Sequence, residues 1–300
     1  MESFIEELER LGVPVERGVS GGKITTFGSG GRVDCLIAPR EVAEIIVALN
    51  VLSDREIPYR LIGGGSNLLL PDEGYGGALI SLLRLSNVEI TGERVVADAG
   101  CKMPILARML AKAGLSGLEY ACGIPGTVGG AAVTNAGAYG QSLSDVLVAV
   151  VTVSPRGEIE TIPAERLKMC YHGAMLPEDR IILSVICDLV GRDPVEIEMR
   201  MDEMRRRRAA TQPRERSAGS VFRRVGETSA AVYIERTGLK GLRIGGAALS
   251  AVHCNFIVNV GGATTADYFA VAARVRERVL EQSGVTLSYE VERICSPRRN

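Results

Sequence analysis

Glycine is packed into loops too dense to be ordinary turns. The chain has 35 glycines in 300 residues, above the ~7% of average usage, and they cluster without a three-residue period, which excludes a collagen-like repeat. One cluster is Thr25-Thr26-Phe27-Gly28-Ser29-Gly30-Gly31, and a second is Gly63-Gly64-Gly65-Ser66-Asn67-Leu68-Leu69. The third runs from Gly123 through Ile124, Pro125, Gly126, Thr127, Val128, Gly129 and Gly130 to Ala131, and on to Asn135-Ala136-Gly137-Ala138-Tyr139-Gly140. Consecutive glycines let backbone N–H groups converge on an anion without Cβ obstruction, and Ser, Thr or Asn side chains add donors. A chain built round such loops is expected to hold phosphates, or a large flat cofactor with a phosphate tail. Neither established nucleotide fingerprint fits. No Gly-x4-Gly-Lys-Ser/Thr run is present, and the GxxGTVGG arrangement lacks the strand-turn-helix setting and downstream acid of a Rossmann unit.

Charge and cysteine usage remove other classes. Lys+Arg 35 against Asp+Glu 36 gives a formal charge of -1, so no global field favours nucleic acid or an anionic membrane. No uninterrupted apolar run reaches the ~18 residues needed to span a bilayer. The start, MESFIEELERLG, is acidic and amphipathic, unlike a signal peptide, so a cytoplasmic protein is expected, and a monomer. The seven cysteines are scattered without a CxxC spacing, which indicates neither a disulfide framework nor a thiolate metal site. With only His172 and His253 available, metal chemistry is not expected.

Periodicity gives an α+β chain. Val42, Ile45, Ile46 and Leu49 predict a helix after Pro39, and Met103 to Ala113 predicts another closed by Gly114. Tyr59–Ile62, Ala78–Leu82, Arg94–Ala97, Val146–Val153, Ile181–Leu189 and Phe256–Val260 read as strands. Tyr268, Val271, Ala272, Val275 and Val279 mark a C-terminal amphipathic helix. The charged segment Glu196–Arg208 separates two α+β lobes. Its final arginines, Arg205 to Arg208, read as the solvated face of an inter-domain helix, with a phosphate or nucleic-acid patch as the other reading.

At this point the loops resemble a known family. Gly63–Leu69 and the stretch Gly117–Gly140, with its GIPGTVGGA and NAGAYG blocks, resemble the UDP-N-acetylenolpyruvoylglucosamine reductases, the MurB flavoenzymes. Ala218-Gly219-Ser220-Val221-Phe222, Gly238-Leu239-Lys240-Gly241, His253-Cys254-Asn255-Phe256-Ile257-Val258-Asn259 and Glu290-Val291 are similar to further motifs of that family, in order. The resemblance implies an FAD-binding domain of the PCMH or vanillyl-alcohol-oxidase type over residues 1–192, itself of two α+β subdomains. A smaller α+β substrate-binding domain over 193–300 follows, without the long insertion of the larger family type. It implies NADPH as reductant and UDP-N-acetylglucosamine enolpyruvate as substrate, in peptidoglycan precursor synthesis. By the same resemblance, Ser220 is the proton donor and Glu290 meets the substrate's carboxylate end. The backbones of Gly63, Gly64, Gly65, Ser66, Asn67, Gly123, Ile124, Gly126, Thr127, Gly129, Gly130 and Ala131 hold the cofactor. Tyr171, Lys240, His253, Asn255 and Arg223 line the substrate.

The match departs at the family's Tyr-Arg-x-Ser motif, which here reads Tyr171-His172-Gly173-Ala174. His172 stands where an arginine is expected, and histidine carries only part of a charge near neutrality. Arg224 replaces an asparagine and Glu292 an arginine of the family pattern. Arg223 or Arg224 are the alternatives for the missing cation. A non-catalytic FAD- or UDP-sugar-binding paralogue, and a flavin oxidase of the same fold, are the alternative functions.

Overall fold

The computed structural model describes residues 3–169, Gly173, Leu176 and 179–297. Helices stand where the apolar spacing predicts them. Val42–Asp54 buries Ile45, Ala48, Leu49, Val51 and Leu52 on one face. Met103–Lys112 starts with a proline in its first turn and is followed by Gly114 at φ 71°, the left-handed position that a side chain would strain. Thr265–Ser283 buries Tyr268, Val271, Ala272, Val275 and Val279. Its entry is fixed by a Thr264–Asp267 capping box and by Asp72, whose carboxylate accepts the N–H groups of Thr265 at 2.7 Å and Ala266 at 2.8 Å. Orphan donors of a helix start are thus satisfied before the helix is packed.

The chain forms two compact units that are interleaved in sequence. The first comprises Met1–Glu16, Cys35–Gly64 and Ala78–Arg208; the second comprises Arg17–Asp34, Gly65–Gly77 and Ala209–Asn300. In the first unit an antiparallel sheet runs in the order Ile159–Pro163, Leu147–Val153, Ile181–Asp188, Arg94–Asp98 and Val88–Thr91. Tyr59–Ile62 pairs in parallel with Ala78–Ser81, and this strand delivers the Gly63-Gly64 loop. The helix Pro194–Thr211 belongs to this unit as far as Arg208 and buries Ile197 and Met201.

The second unit holds an antiparallel sheet in the order Arg216–Ser220, Phe256–Asn259, Ala247–Leu249 and Arg243–Ile244. Helix Thr265–Ser283 contacts this sheet. The core joins Phe27, Leu69, Val221, Phe222, Ile257, Tyr268 and Leu287. Phe27 and Tyr268 meet edge to face at 5.0 Å. Leu68-Leu69 pairs in parallel with Glu292-Arg293, so the end of the second glycine loop is zipped to the C-terminal segment. Among the described residues no helix is long and apolar enough to cross a membrane, and no cluster of His, Cys, Asp or Glu is arranged to hold a metal.

Candidate functional site

Within the first unit, two of the three glycine loops touch. A Cβ on Gly63 would lie 2.6 Å from the Thr127 hydroxyl, and one on Gly64 would lie 2.9 Å from the Gly126 Cα. Gly129 backs onto Ala99, where a Cβ would meet the Ala99 methyl at 2.7 Å. The glycines therefore permit backbone-to-backbone approach, and neither loop can carry a larger side chain at the junction. Many N–H groups of the third loop are already committed. Val128 donates to Cys101 O at 2.8 Å, Gly129 to Ala99 O at 2.9 Å, Gly130 to the Thr127 hydroxyl at 3.4 Å and Ala131 to Thr127 O at 2.8 Å. Ile124 donates to Ala121 O at 3.1 Å. Close packing is a main use of this glycine block, beside any anion contact.

The helix Pro194–Thr211 lies against the same loops. Tyr139 donates its hydroxyl to Met204 O at 3.0 Å, and Cys122 Sγ lies 3.6 Å from Met201 O. Arg205 is held by Glu198 at 2.7 Å and Asp202 at 2.6 Å, but Arg208 is different. It is half-buried, and a Cβ on Gly123 would lie 2.7 Å from its Cδ. Burial lowers its guanidinium pKa from the ordinary value, and its electrostatic neighbours are Tyr139 and Cys122 rather than a carboxylate. The expectation of a uniformly solvated arginine face is thus corrected at Arg208. Sequence periodicity could not find it, because one residue in a run of four is selected by the tertiary contact with Gly123. A side-chain-free loop surface beside a cation lacking a carboxylate partner among the described residues fits a bulky anionic cofactor.

In the second unit, Ser220 ends a strand distorted by a bulge between Ser217 and Ser220. Gly219 sits at φ 77° in that bulge, and a Cβ on it would lie 3.7 Å from Ser66 O. Bulges of this kind re-aim the following side chain. The next residue, Val221, accepts the N–H of Glu290 at 2.9 Å, and Arg223 N donates to Ser288 O at 2.9 Å. Ser220 and Glu290, both half-buried, are therefore brought together by the segment Val221–Arg223 lying along Ser288–Glu290. Phe222 stacks on Tyr289 at 5.4 Å. Asn67 reaches the same place: its Nδ2 donates to Glu290 O at 3.2 Å, and its carbonyl accepts from Glu292 N at 2.9 Å. Gly65 abuts the carbonyl of Ile24, and its own carbonyl takes the Thr26 N–H at 2.9 Å. Arg216 fastens the first glycine loop by donating to the carbonyls of Gly22, Thr25 and Thr26.

The other substrate candidates divide. Asn255 is 5% exposed, and both ends of its side-chain amide are used on Phe222, accepting from its N–H at 3.0 Å and donating to its carbonyl at 2.9 Å. Lys240, on the exposed Gly238–Gly241 turn, is paired with Glu235 at 2.7 Å; that hydrogen bond raises the lysine pKa and lowers the glutamate's. His253 is half-buried, and burial lowers its pKa. Its Nδ1 accepts the Asn255 N–H at 3.2 Å and its ring meets Phe256 edge-on at 4.9 Å. Arg223 Nε donates to Tyr289 O at 3.2 Å, and Arg224 pairs with Glu227 at 3.6 Å. Tyr171 and His172 lie outside the described residues.

Comparison with known proteins bears on family and fold. The profile of the "UDP-N-acetylenolpyruvoylglucosamine reductase, C-terminal domain" matches residues 212–294, and that of an "FAD binding domain" matches residues 33–163. The UDP-N-acetylenolpyruvoylglucosamine reductase of Carboxydothermus hydrogenoformans is 39% identical over 291 residues, covering 96% of each chain. That of Rubrobacter xylanophilus is 38% identical over 278 residues, covering 92% of this chain and 93% of its own. The crystal structure of the Thermus caldophilus enzyme superposes with a TM-score of 0.82 at 36% identity, covering 95% of this chain and all of that one. On sequence over nearly its whole length, and on fold, this chain belongs to the UDP-N-acetylenolpyruvoylglucosamine reductase family.

Proposed function

We propose that this chain reduces the enolpyruvyl ether of UDP-N-acetylglucosamine to the lactyl ether, yielding UDP-N-acetylmuramate for peptidoglycan synthesis in the cytoplasm. The observation that carries the reading is the contact between the Ser220 and Glu290 segments through Val221, together with the glycine-loop junction beside Arg208. FAD, when held there, would supply hydride chemistry, with NADPH as the reductant. In the first unit, Gly63, Gly64 and Gly126 offer side-chain-free backbone for that cofactor, Thr127 adds a hydroxyl, and Arg208 offers the charge. In this functional sense the flavin region expected over 1–192 extends to Arg208, and the substrate region expected over 193–300 draws on Arg17–Asp34 and Gly65–Gly77 as well.

The residues of the second unit answer the remaining demands of the chemistry. Hydride addition pushes electron density through the conjugated carboxylate as an enolate, and the adjacent carbon then needs a proton. Ser220 gives that proton from its hydroxyl, aimed by the Gly219 bulge. Glu290 stands at the carboxylate end, facing the charge that develops there. Asn255 fixes Phe222, and with it the strand that carries Ser220. Lys240 and His253 line the substrate's nucleotide side; Lys240 exchanges Glu235 for the diphosphate when substrate binds. Tyr171 and Arg223 border the substrate. His172 supplies the cation of the family arginine, so activity is expected to fall as pH rises through neutrality, where a histidine loses charge. A pH profile that stays flat in the wild type, with activity lost in His172→Ala, would contradict that role.

The test is anaerobic. FAD-loaded protein is reduced with NADPH, UDP-N-acetylglucosamine enolpyruvate is added, and the oxidised flavin band is followed. Its return establishes the reductase. Ser220→Ala is expected to slow that return by about 10²–10⁴-fold, the usual range for a lost general acid, with reduction by NADPH unchanged. A flavin that stays reduced although substrate binds makes the chain a non-catalytic binder.

A further inference from the structure

Beyond the residues already given roles, the geometry points to Asn67 as a positioning residue that holds Glu290 in register with Ser220. The inference rests on the reductase reading above. Asn67 belongs to the glycine loop, and its type there suggested only a donor for the cofactor. Its side chain does something else: Nδ2 donates to the carbonyl of Glu290 at 3.2 Å. The Asn67 carbonyl accepts the N–H of Glu292 at 2.9 Å, and Leu69 O accepts Ile294 N at 3.0 Å. Glu290 is thereby gripped on two sides. Its N–H is taken by Val221, the residue after Ser220, and its C=O by Asn67. Removing the first would slide Glu290 along Ser220's segment, and removing the second would let the peptide plane after Glu290 rotate. A rotation there swings the carboxylate, and a displacement near 1 Å at a reacting group is enough to slow chemistry by large factors.

The alternative use of Asn67, holding the cofactor, predicts a different failure, so the half-reactions separate the two. Wild type, Asn67→Ala, Glu290→Gln and the double variant are loaded with FAD, reduced with NADPH and reoxidised with the enolpyruvyl substrate. Asn67→Ala is expected to keep flavin content and the NADPH step within about twofold and to slow reoxidation about five- to tenfold, as one lost hydrogen bond would. In the Glu290→Gln background the same substitution changes reoxidation by less than about twofold, because its effect passes through Glu290. Asn67→Asp keeps the side-chain size but turns lone pairs toward the Glu290 carbonyl, and is expected to slow reoxidation at least as much. A readout free of turnover is amide hydrogen exchange. The Glu290 and Glu292 amides exchange about fivefold faster in Asn67→Ala, while the Phe222 amide, held by Asn255, keeps its wild-type rate. Unchanged exchange at Glu290 and Glu292, multiplicative losses in the double variant, or lost flavin with normal reoxidation in the loaded fraction would each overturn the assignment. If Asn67→Ala loses its fold, Asn67→Ser carries the same comparison. Should wild-type protein fail to be reoxidised, the reductase reading falls, and the exchange rates still decide whether Asn67 holds Glu290.

Discussion

Gly219 shows how much a single residue decides. At φ 77° it occupies the left-handed region, where an alanine costs about 1–2 kcal/mol. Gly219→Ala is therefore expected to lose about that much in urea unfolding, and to lower turnover further by withdrawing the bulge that aims Ser220. His253 gives the residue-scale pH dependence. Burial holds its pKa below the ordinary histidine value, and its Nδ1 accepts a backbone N–H, which requires the neutral ring. The unfolded chain binds a proton more readily than the folded one, so stability is fully present above about pH 6.5 and is lost as pH falls through the lowered native pKa. Thermal unfolding between pH 7 and 5 should show that slope, and His253→Asn should flatten it. Arg208→Leu, which keeps much of the packing on Gly123 and deletes the charge, should lower flavin retention with little change in secondary structure, read by visible absorbance and circular dichroism.

The elements differ in how far the sequence announces them. The helices Val42–Asp54, Met103–Lys112 and Thr265–Ser283 were legible because each buries one continuous stripe, and stripe spacing is written in adjacent residues. The strands fell within a few residues of their predicted ends for the same reason. The parallel pair Leu68-Leu69 with Glu292-Arg293 was not legible, since two-residue strands carry no period and their partners are remote; the Asn67–Glu290 bond spans 223 residues. Of the candidate site, the family motifs marked Ser220, Glu290 and the loops, but not the contacts joining them. The start of helix Thr265–Ser283 shows what such a remote contact is worth. Asp72 caps it from outside the helix, and Asp72→Ala is expected to cost about 1–2 kcal/mol, like the loss of a strong N-cap. Denaturant titration of the full chain measures it.

At the scale of the whole molecule, the second unit is assembled from chain segments that the C-terminal hundred residues do not contain. Arg17–Asp34 and Gly65–Gly77 contribute Phe27 and Leu69 to its core, and Thr26, Asp72 and Asn67 to its hydrogen bonds. A fragment of residues 193–300 is therefore expected to show no cooperative thermal transition and little near-ultraviolet dichroism, although a sequence profile spans most of it. A sharp transition from that fragment would refute the dependence. Interleaving also sets a schedule for the newborn chain. Phe27, Leu69 and Leu70, all fully buried at the end, leave the ribosome long before the strands that cover them. At about 5–20 residues per second they wait on the order of 10–55 s for the rest of the chain. During that interval the protein depends on chaperones or on transient collapse to keep these side chains from neighbouring chains, and a stop codon near the end would leave them permanently without shelter.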